Sequence, residues 1–518
     1  MSDFDGRIVD LYRGELDYLR QSGRVFSEKY PKIAARLELS DQESPDPQVE
    51  RLLESFAYLT ARIQARIDDQ NALVPSAILG QLHPYLIEPT PPMSTAYFKT
   101  TLEQQVAPSG KLLPRGTPLY IQTGQGDFCR FVTRYDVDLR PLEIVGASIE
   151  PVSYHKQFDT SKVASVLKIE IGGQGLPVSE VPISNLRIHL AGDLKDAMDL
   201  HELLCSNVVA TALVGDEENQ LTYINHSIVS EVGFKDSEAV LEDKDDSLSA
   251  YRLLSEYFVW PSKFLYLDFN ELDQRPPGKK LTILLGLDQP ARRNLTVKPR
   301  NFLLGCTPVV NLFKKTLEPI RLDYTKEQYF LEPEAGGLIN YEIHSINRVS
   351  ISSPAVKQMR TLEPYFSFKH KIGSDIPKEF WFATRSGAGA GLQGSQMHIS
   401  FVDTDFTPQR PGGETATIQA LCTNRNLVEQ LPIGAVFQGD EDLGALATII
   451  SKPSPTVYAP LDGATLWRLV SQLNLNHFSF SRDEASIDAL REILRLYCPD
   501  YRPSAFQEVM GLRQLEVE

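Results

Sequence analysis

The run with the most chemical promise is Gly389-Ala-Gly391-Leu-Gln-Gly394, a GxGxxG pattern. In a dinucleotide site such glycines follow a strand and open a helix, whose free N–H groups meet the pyrophosphate. An apolar strand, Phe380 to Thr384, does precede it. The next residues, Ser395-Gln-Met-His-Ile-Ser-Phe-Val, alternate like a second strand, so the run reads as a glycine-rich connection between antiparallel strands. A dinucleotide enzyme would need a helix starting near Ser395. Asp403 and Asp405, in FVDTDFTP, carry the charge for a cation but lack the further ligands and turn glycine of a calcium loop. They read as a solvated strand end. The alternative is a cytosolic β-sandwich carbohydrate-active enzyme or binding module, which needs carboxylates about 5–10 Å apart in a concave cleft. Asp68 and Asp69 are adjacent on a helix and splay apart, so they cannot share a proton.

Other reactive types are equally scattered. The nine histidines include no HExxH and no pair at helical spacing. His83 stands beside Pro84 at a helix end and reads as a packing residue. His477, among Leu475, Phe478 and Phe480, reads as half-buried, with no acid or nucleophile beside it. The five cysteines, Cys129, Cys205, Cys306, Cys422 and Cys498, have neither disulfide nor metal spacing. They read as buried thiols of a reducing cytoplasm. No GxSxG elbow and no GxxxxGK[ST] loop occurs. No catalytic residue, cofactor or metal is therefore expected.

The elements that would position a functional surface are clearer. Asp46 to Asp69 reads as one capped amphipathic helix. The Asp46 carboxylate accepts from the first turn, and Pro47 sits where its missing N–H costs nothing. Val49, Leu52, Leu53, Phe56, Thr60, Ile63 and Ile67 recur with helical period. Residues 7–29 form an earlier helix with Ile8, Leu11, Tyr12, Leu16 and Leu19 on one face. A separate helical piece is expected from Ser76 to Leu82, before Pro84, Pro89, Pro91 and Pro92 end helix formation.

From Ser94 the period changes to two, with short strands broken by Gly, Pro, Asp and Asn. Such spacing predicts antiparallel sandwiches or barrels. The acidic run Glu242-Asp-Lys-Asp-Asp reads as a solvated loop. A helix to Tyr257, a break at Pro261 and a buried strand follow. Later strands include Tyr341-Glu-Ile, Val349-Ser-Ile and Ala416 to Cys422. A proline-rich linker, 452–460, leads to helices over Thr465–Leu473 and Asp483–Tyr497. The expected fold class is α+β: an N-terminal helical segment (1–92), β-rich domains over 93–290 and 291–452, and a short helical C-terminal region (453–518).

The chain has 518 residues, 42% of them hydrophobic, and a formal net charge of −16. That charge argues against nucleic acid and against an anionic membrane surface. The N-terminus lacks the pattern of a secretory signal and no apolar stretch reaches 18 residues, so a cytoplasmic protein without membrane insertion is expected.

Several stretches, in order, resemble the type VI secretion baseplate subunit family TssF. They are YRGELDYLR from Tyr12, YPKIAARL from Tyr30, and the helix with DPQVERLLESFAYLTARI. Then come YRLLSEYF from Tyr251 with Pro261-Ser-Lys-Phe, Asn311-Leu-Phe with Pro319-Ile-Arg-Leu-Asp, and LCTNRNL from Leu421. Last are WRLVSQLNLN from Trp467 and LREILRLY from Leu490. The resemblance spans residues 10 to 500, and its ordered set is more specific than any one motif. Departures are QNALVP at 70–75, where the family has a Glu-Phe-Pro-like segment, and Leu427-Val428, where the family usually has Leu-Pro. The family also continues through another folded segment past the position of Tyr497, so the C-terminal region here is expected to be shorter, by nature or by truncation.

The resemblance implies a non-enzymatic scaffold similar to the wedge proteins of contractile phage tails. Two copies pair with one TssG to form a wedge. Six wedges surround the spike protein VgrG, with TssE at the sheath and TssK towards the inner-membrane complex. The resulting baseplate nucleates the contractile tail. The helical stripes would then supply interlocking contacts. Ile8, Leu11, Leu16, Leu19, Val49, Leu52, Phe56, Ile63 and Ile67 are the expected packing positions, some within the chain and some against TssG or a second copy.

Overall fold

A computed structural model describes residues 3–34, 46–100, 107–124, 126–216, 220–241, 249–290, 295–323, 325–334, 337–353, 356–366, 379–388, 392–403, 413–473 and 484–513. Among the described residues there are eight α-helices: α1 (Asp3–Lys29), α2 (Pro31–Ala34), α3 (Pro47–Leu82), α4 (Leu194–Ser206), α5 (Ser249–Val259), α6 (Gly463–Leu473), α7 (Glu484–Arg495) and α8 (Pro503–Met510).

The longest is α3. Asp46 caps it, its Oδ1 accepting from the Gln48 N–H at 2.8 Å, with Pro47 opening the first turn. The separate helix expected from Ser76 is not separate. α3 runs 36 residues straight through Pro75, about 54 Å at 1.5 Å per residue. Proline there removes the bond to the Asn71 carbonyl, so tertiary packing must hold the helix together. α6 supplies that packing. A Cβ on Gly463 would stand 3.1 Å from the Asn71 carbonyl carbon, and Leu466 and Leu469 share a buried cluster with Leu79. Gly463→Val is therefore expected to lift α6 from α3 and to cost about 1–3 kcal/mol, the usual range for overpacking. A urea melt of the full chain checks this.

The β-structure is nested. A six-stranded sheet, 438–439, 118–122, 128–133, 306–310, 93–99 and 446–449 in spatial order, takes strands from both sides of residue 290, where a boundary is expected. It curls around Phe98, Leu119, Phe131, Val309 and Ile449. The ribbon Lys111–Leu113 with Val137–Leu139 adds Leu113, Val137 and Leu139 to that core. This half-barrel is the hub of the molecule.

Between its strands the chain makes a sandwich over 142–304. A five-stranded antiparallel sheet, ordered 221–224, 208–214, 280–287, 165–173, 142–151, faces a four-stranded one, ordered 229–231, 266–269, 186–190, 302–304. Ile169, Ile171 and Ile283 of the first share a core with Ile188, Leu267 and Phe302 of the second, and with Leu200 and Leu204 of α4.

A second excursion, 313–423, forms an eight-stranded barrel-like sheet around Leu322, Val349, Ile351, Ile399 and Ile418. The two strands expected at Tyr341 and Val349 are one, Glu342–Ser353. Irregular register at Ile343/Ser345 and Ile346/Arg348 interrupts its alternation, as bulges do, which makes one strand read as two. Strands Glu379–Gly387 and Ser395–Asp403 pair antiparallel, Gly387 opposite Ser395. Gly389 and Gly391 lie outside the described residues. The segment after them is a strand and not a helix, which ends the dinucleotide reading.

Candidate functional site

No constellation of reactive groups forms among the described residues; the features that stand out are an exposed helical face and two buried polar joints. α3 has two opposed stripes. Ala57, Ala61 and Ala65 recur every four residues and are fully buried. Glu50, two turns before Ala57 on the same side, accepts from Arg20 of α1 at 2.5 Å, so this stripe faces α1. From α1, Ile8 and Leu16 are buried. Small side chains let two helices approach closely, because the interaxial distance follows the residues at the contact.

The opposite stripe is bulky and bare. Val49, Leu52, Phe56, Leu59 and Ile63 are spaced three, four, three and four residues apart, the a/d alternation of a coiled-coil seam. Leu52 is 69% exposed, Phe56 62%, Leu59 54% and Ile63 61%. Ile67 is exposed as well, while Val49, Leu11 and Leu19 are half-buried. Of the nine expected packing positions, then, the chain by itself buries Ile8 and Leu16 and leaves Leu52, Phe56, Ile63 and Ile67 open. Sequence reasoning missed the seam of Ala57, Ala61 and Ala65. Its four-residue recurrence was the available signal, outweighed by the larger residues on the other side.

The first polar joint ties α5 to the turn after it. Glu256 Oε1 accepts from the Val240 and Leu241 N–H groups, both at 2.8 Å, and its other oxygen accepts from the Lys263 ammonium. Both charged side chains are wholly buried. Burial pushes Lys263 below the usual lysine range, with the Glu256 carboxylate pulling the other way.

The second joint fastens barrel to hub. Asn311 sits where strand Cys306–Val310 leaves the hub for Phe313–Thr316 of the barrel. Its Nδ2 donates to the Arg130 carbonyl at 2.6 Å and to Asn424 Oδ1 at 2.8 Å. Asn424 Oδ1 also accepts from the Arg130 N–H at 2.9 Å, and its Nδ2 donates to the Phe128 carbonyl at 3.1 Å. Arg425, at φ +50°, donates to the carbonyls of Tyr341, Gln393 and Ser395. Buried Glu342 accepts from the Ser395 N–H and hydroxyl. These groups bind backbone, which suits them to positioning rather than to attack on a substrate.

The remaining candidates are dispersed. His83 is buried at the C-terminus of α3, edge-on to Tyr251 at 4.7 Å, and burial lowers its pKa. Asp403 ends its strand in register with Glu379. Asp405, His477 and the acidic run at Glu242 lie outside the described residues. Asp68 accepts from Gln64 at 3.0 Å. The five cysteines are free thiols; burial pushes Cys129, Cys205 and Cys422 up to about 12 and raises Cys306 and Cys498, the opposite of a reactive thiolate. Among the described residues no three His, Cys, Asp or Glu side chains gather as a metal site. No described helix is long and apolar enough to cross a membrane.

Comparison with known proteins supplies the family. The family described as "Type VI secretion system, TssF" matches residues 4–518. The type VI secretion system component TssF1 of Pseudomonas aeruginosa is 29% identical over 98% of this chain and 86% of its own. Two solved structures share the fold. One is a chain of a TssK-TssF-TssG baseplate subcomplex seen by cryo-electron microscopy, with TM-score 0.70 and 23% identity, covering 90% of this chain and 85% of that one. The other is a chain of the baseplate complex from the type VI secretion system, with TM-score 0.63 and 22% identity, covering 98% and 86%.

Proposed function

This chain belongs to the TssF family of type VI secretion systems, and from that membership we propose that it is a structural baseplate subunit, not an enzyme, which holds its partners through the outward face of α1 and α3. The observation that carries the reading is the bare a/d seam of Leu52, Phe56, Leu59 and Ile63 opposite a buried alanine stripe. A lone helix pair gains nothing from such a seam in water. Covering it with a partner helix contributes about 1.5–3 kcal/mol for each large side chain buried, set against the cost of association.

One similar solved structure is a TssK-TssF-TssG baseplate subcomplex, which supports TssG and TssK as partners. In this reading TssG and a second copy of the chain complete the helical bundle, two copies to one TssG, as a wedge. TssK, TssE and VgrG join in the assembled cytoplasmic baseplate, which docks towards the inner-membrane complex and nucleates the contractile tail. Ile8 and Leu16 hold α1 on α3, Leu11, Leu19 and Val49 border the contact, and Ile67 extends it. Segment 1–92 is the docking arm on the β-rich bodies.

Co-expression with TssG tests this. Leu52→Asp with Phe56→Asp alters only exposed positions, so the chain should stay folded by circular dichroism. It should lose co-purification with TssG, by more than about 100-fold in affinity if both anchors lie at the centre of the contact. Normal assembly by the folded double variant would remove the interface.

A further inference from the structure

A second surface lies away from the helical face. Where strand Cys306–Val310 quits the hub and continues as Phe313–Thr316 of the barrel, the two sheets part. The gap is a cleft of about 1030 Å³, at the upper end of the ~300–1,000 Å³ of ligand pockets. Outward-facing residues of the hub strands line it, with Tyr120 edge-to-face on Phe128 at 5.7 Å and Phe128 itself exposed. Its lips are cationic. Arg115, Arg130 and Lys314 are exposed and come from three elements: the turn at 114–118, the hub and the barrel; Arg115 also donates to the Ser237 and Ala239 carbonyls, and Arg130 lies over the Phe313 ring at 5.8 Å. Arg134 and Arg252 stand buried behind them. Among the described residues two carboxylates share the lining, Asp236 and Asp440, and Asp236 accepts from Arg252 at 2.7 Å. A chain of net charge −16 thus gathers five cations around one aromatic-lined cleft.

We propose that this cleft binds an acidic peptide segment of a partner protein. Its carboxylates meet Arg115, Arg130 and Lys314, and an apolar side chain rests on Tyr120 and Phe128. The occupant follows from charge complementarity and layout. The cations come from separate elements and share the lining with Tyr120 and Phe128, and the volume far exceeds one phosphate group. That suits a ligand alternating acid and apolar groups. A polynucleotide fits less well, because a charge on every nucleotide calls for a longer cationic track than the three exposed cations supply. The site is independent of α1 and α3, so it stands or falls separately from the helical contact.

Fluorescence anisotropy on the full chain tests it, with a labelled peptide of Glu-Glu-Leu repeats as probe. Saturable binding that weakens with salt is expected. Arg130→Glu with Lys314→Glu, both exposed, should keep the circular dichroism spectrum and weaken binding by roughly tenfold or more. A Lys-Lys-Leu peptide should not bind. The proposal is overturned if the acidic peptide shows no saturable binding or binds the double variant equally. It is overturned as well if inorganic phosphate or oligothymidylate binds at least as tightly.

Discussion

Glu256→Ala should destabilise the protein by about 3–5 kcal/mol, the cost of leaving one member of a buried ion pair alone. That is a large share of the about 5–15 kcal/mol that holds a typical domain. Glu256 and Lys263 both have no exposed side-chain surface, so water cannot replace the missing carboxylate. The loss extends past the pair. The Val240 and Leu241 N–H groups donate to the same carboxylate and would be stranded with it. Adding Lys263→Met removes the uncompensated ammonium and should recover part of the loss, since an apolar isostere of a buried ion pair is often neutral. Urea melts of the two single variants and the double variant form the cycle that measures the coupling. Additive effects would show that the two residues act separately.

The second large effect is expected at Asn424. Asn424→Ala leaves the Arg130 N–H, the Phe128 carbonyl and one Asn311 amide proton without their partner. Each buried group left unpaired costs roughly 1–3 kcal/mol. Because these groups join hub to barrel, the loss should appear locally before the chain unfolds as a whole. Amide exchange reads it directly. The Arg130 N–H should exchange much faster in the variant, while the sandwich strand Lys280–Leu287, which pairs elsewhere, should keep its protection. Unchanged exchange at Arg130 would mean that the joint is held by other contacts.

Much of the architecture was legible because its causes are local. Asp46 and Pro47 signal a helix start through capping chemistry alone, and the helix starts there. Alternation marks strands such as Glu414–Thr423, whose buried and half-buried residues alternate over its first half. Features that depend on distant partners were not legible. Pro75 looks like a break, and the packing that surrounds the helix there includes α6, nearly 400 positions on. Strand Val208–Val214 begins two residues after α4 ends, so Asn207, the C-cap, is the one residue between the two elements. The amphipathic pattern of α3 marked two unlike faces but not which one is inner, because periodicity reports that faces differ and is silent about which one meets the chain.

The resemblance picked out the stretches holding Glu256, Lys263, Asn311, Asn424 and Arg425 without revealing their work. Asn311 and Asn424 are 113 positions apart, and neither alone predicts a joint. Among the chemical candidates, the alternating residues after Gly394 decided correctly for a strand over a phosphate-binding helix.

The nesting of the sheets also dictates an order of events on the ribosome. Strand Met93–Lys99 is made early, yet its neighbours in the hub are Cys306–Val310 and Leu446–Ile449. At about 5–20 residues per second, it waits roughly 20–70 s for the second of them. The sandwich and then the barrel emerge in the interval, each with its own core, and can fold while the hub is still open. Helices α1 and α3 come out before these bodies, whereas α6, which packs on α3 beside Pro75, is made much later. A nascent chain therefore displays the bare face of α3 before the body behind it is closed, so under the proposed function the timing of partner synthesis would bear on whether that face meets its partner or another unfinished copy.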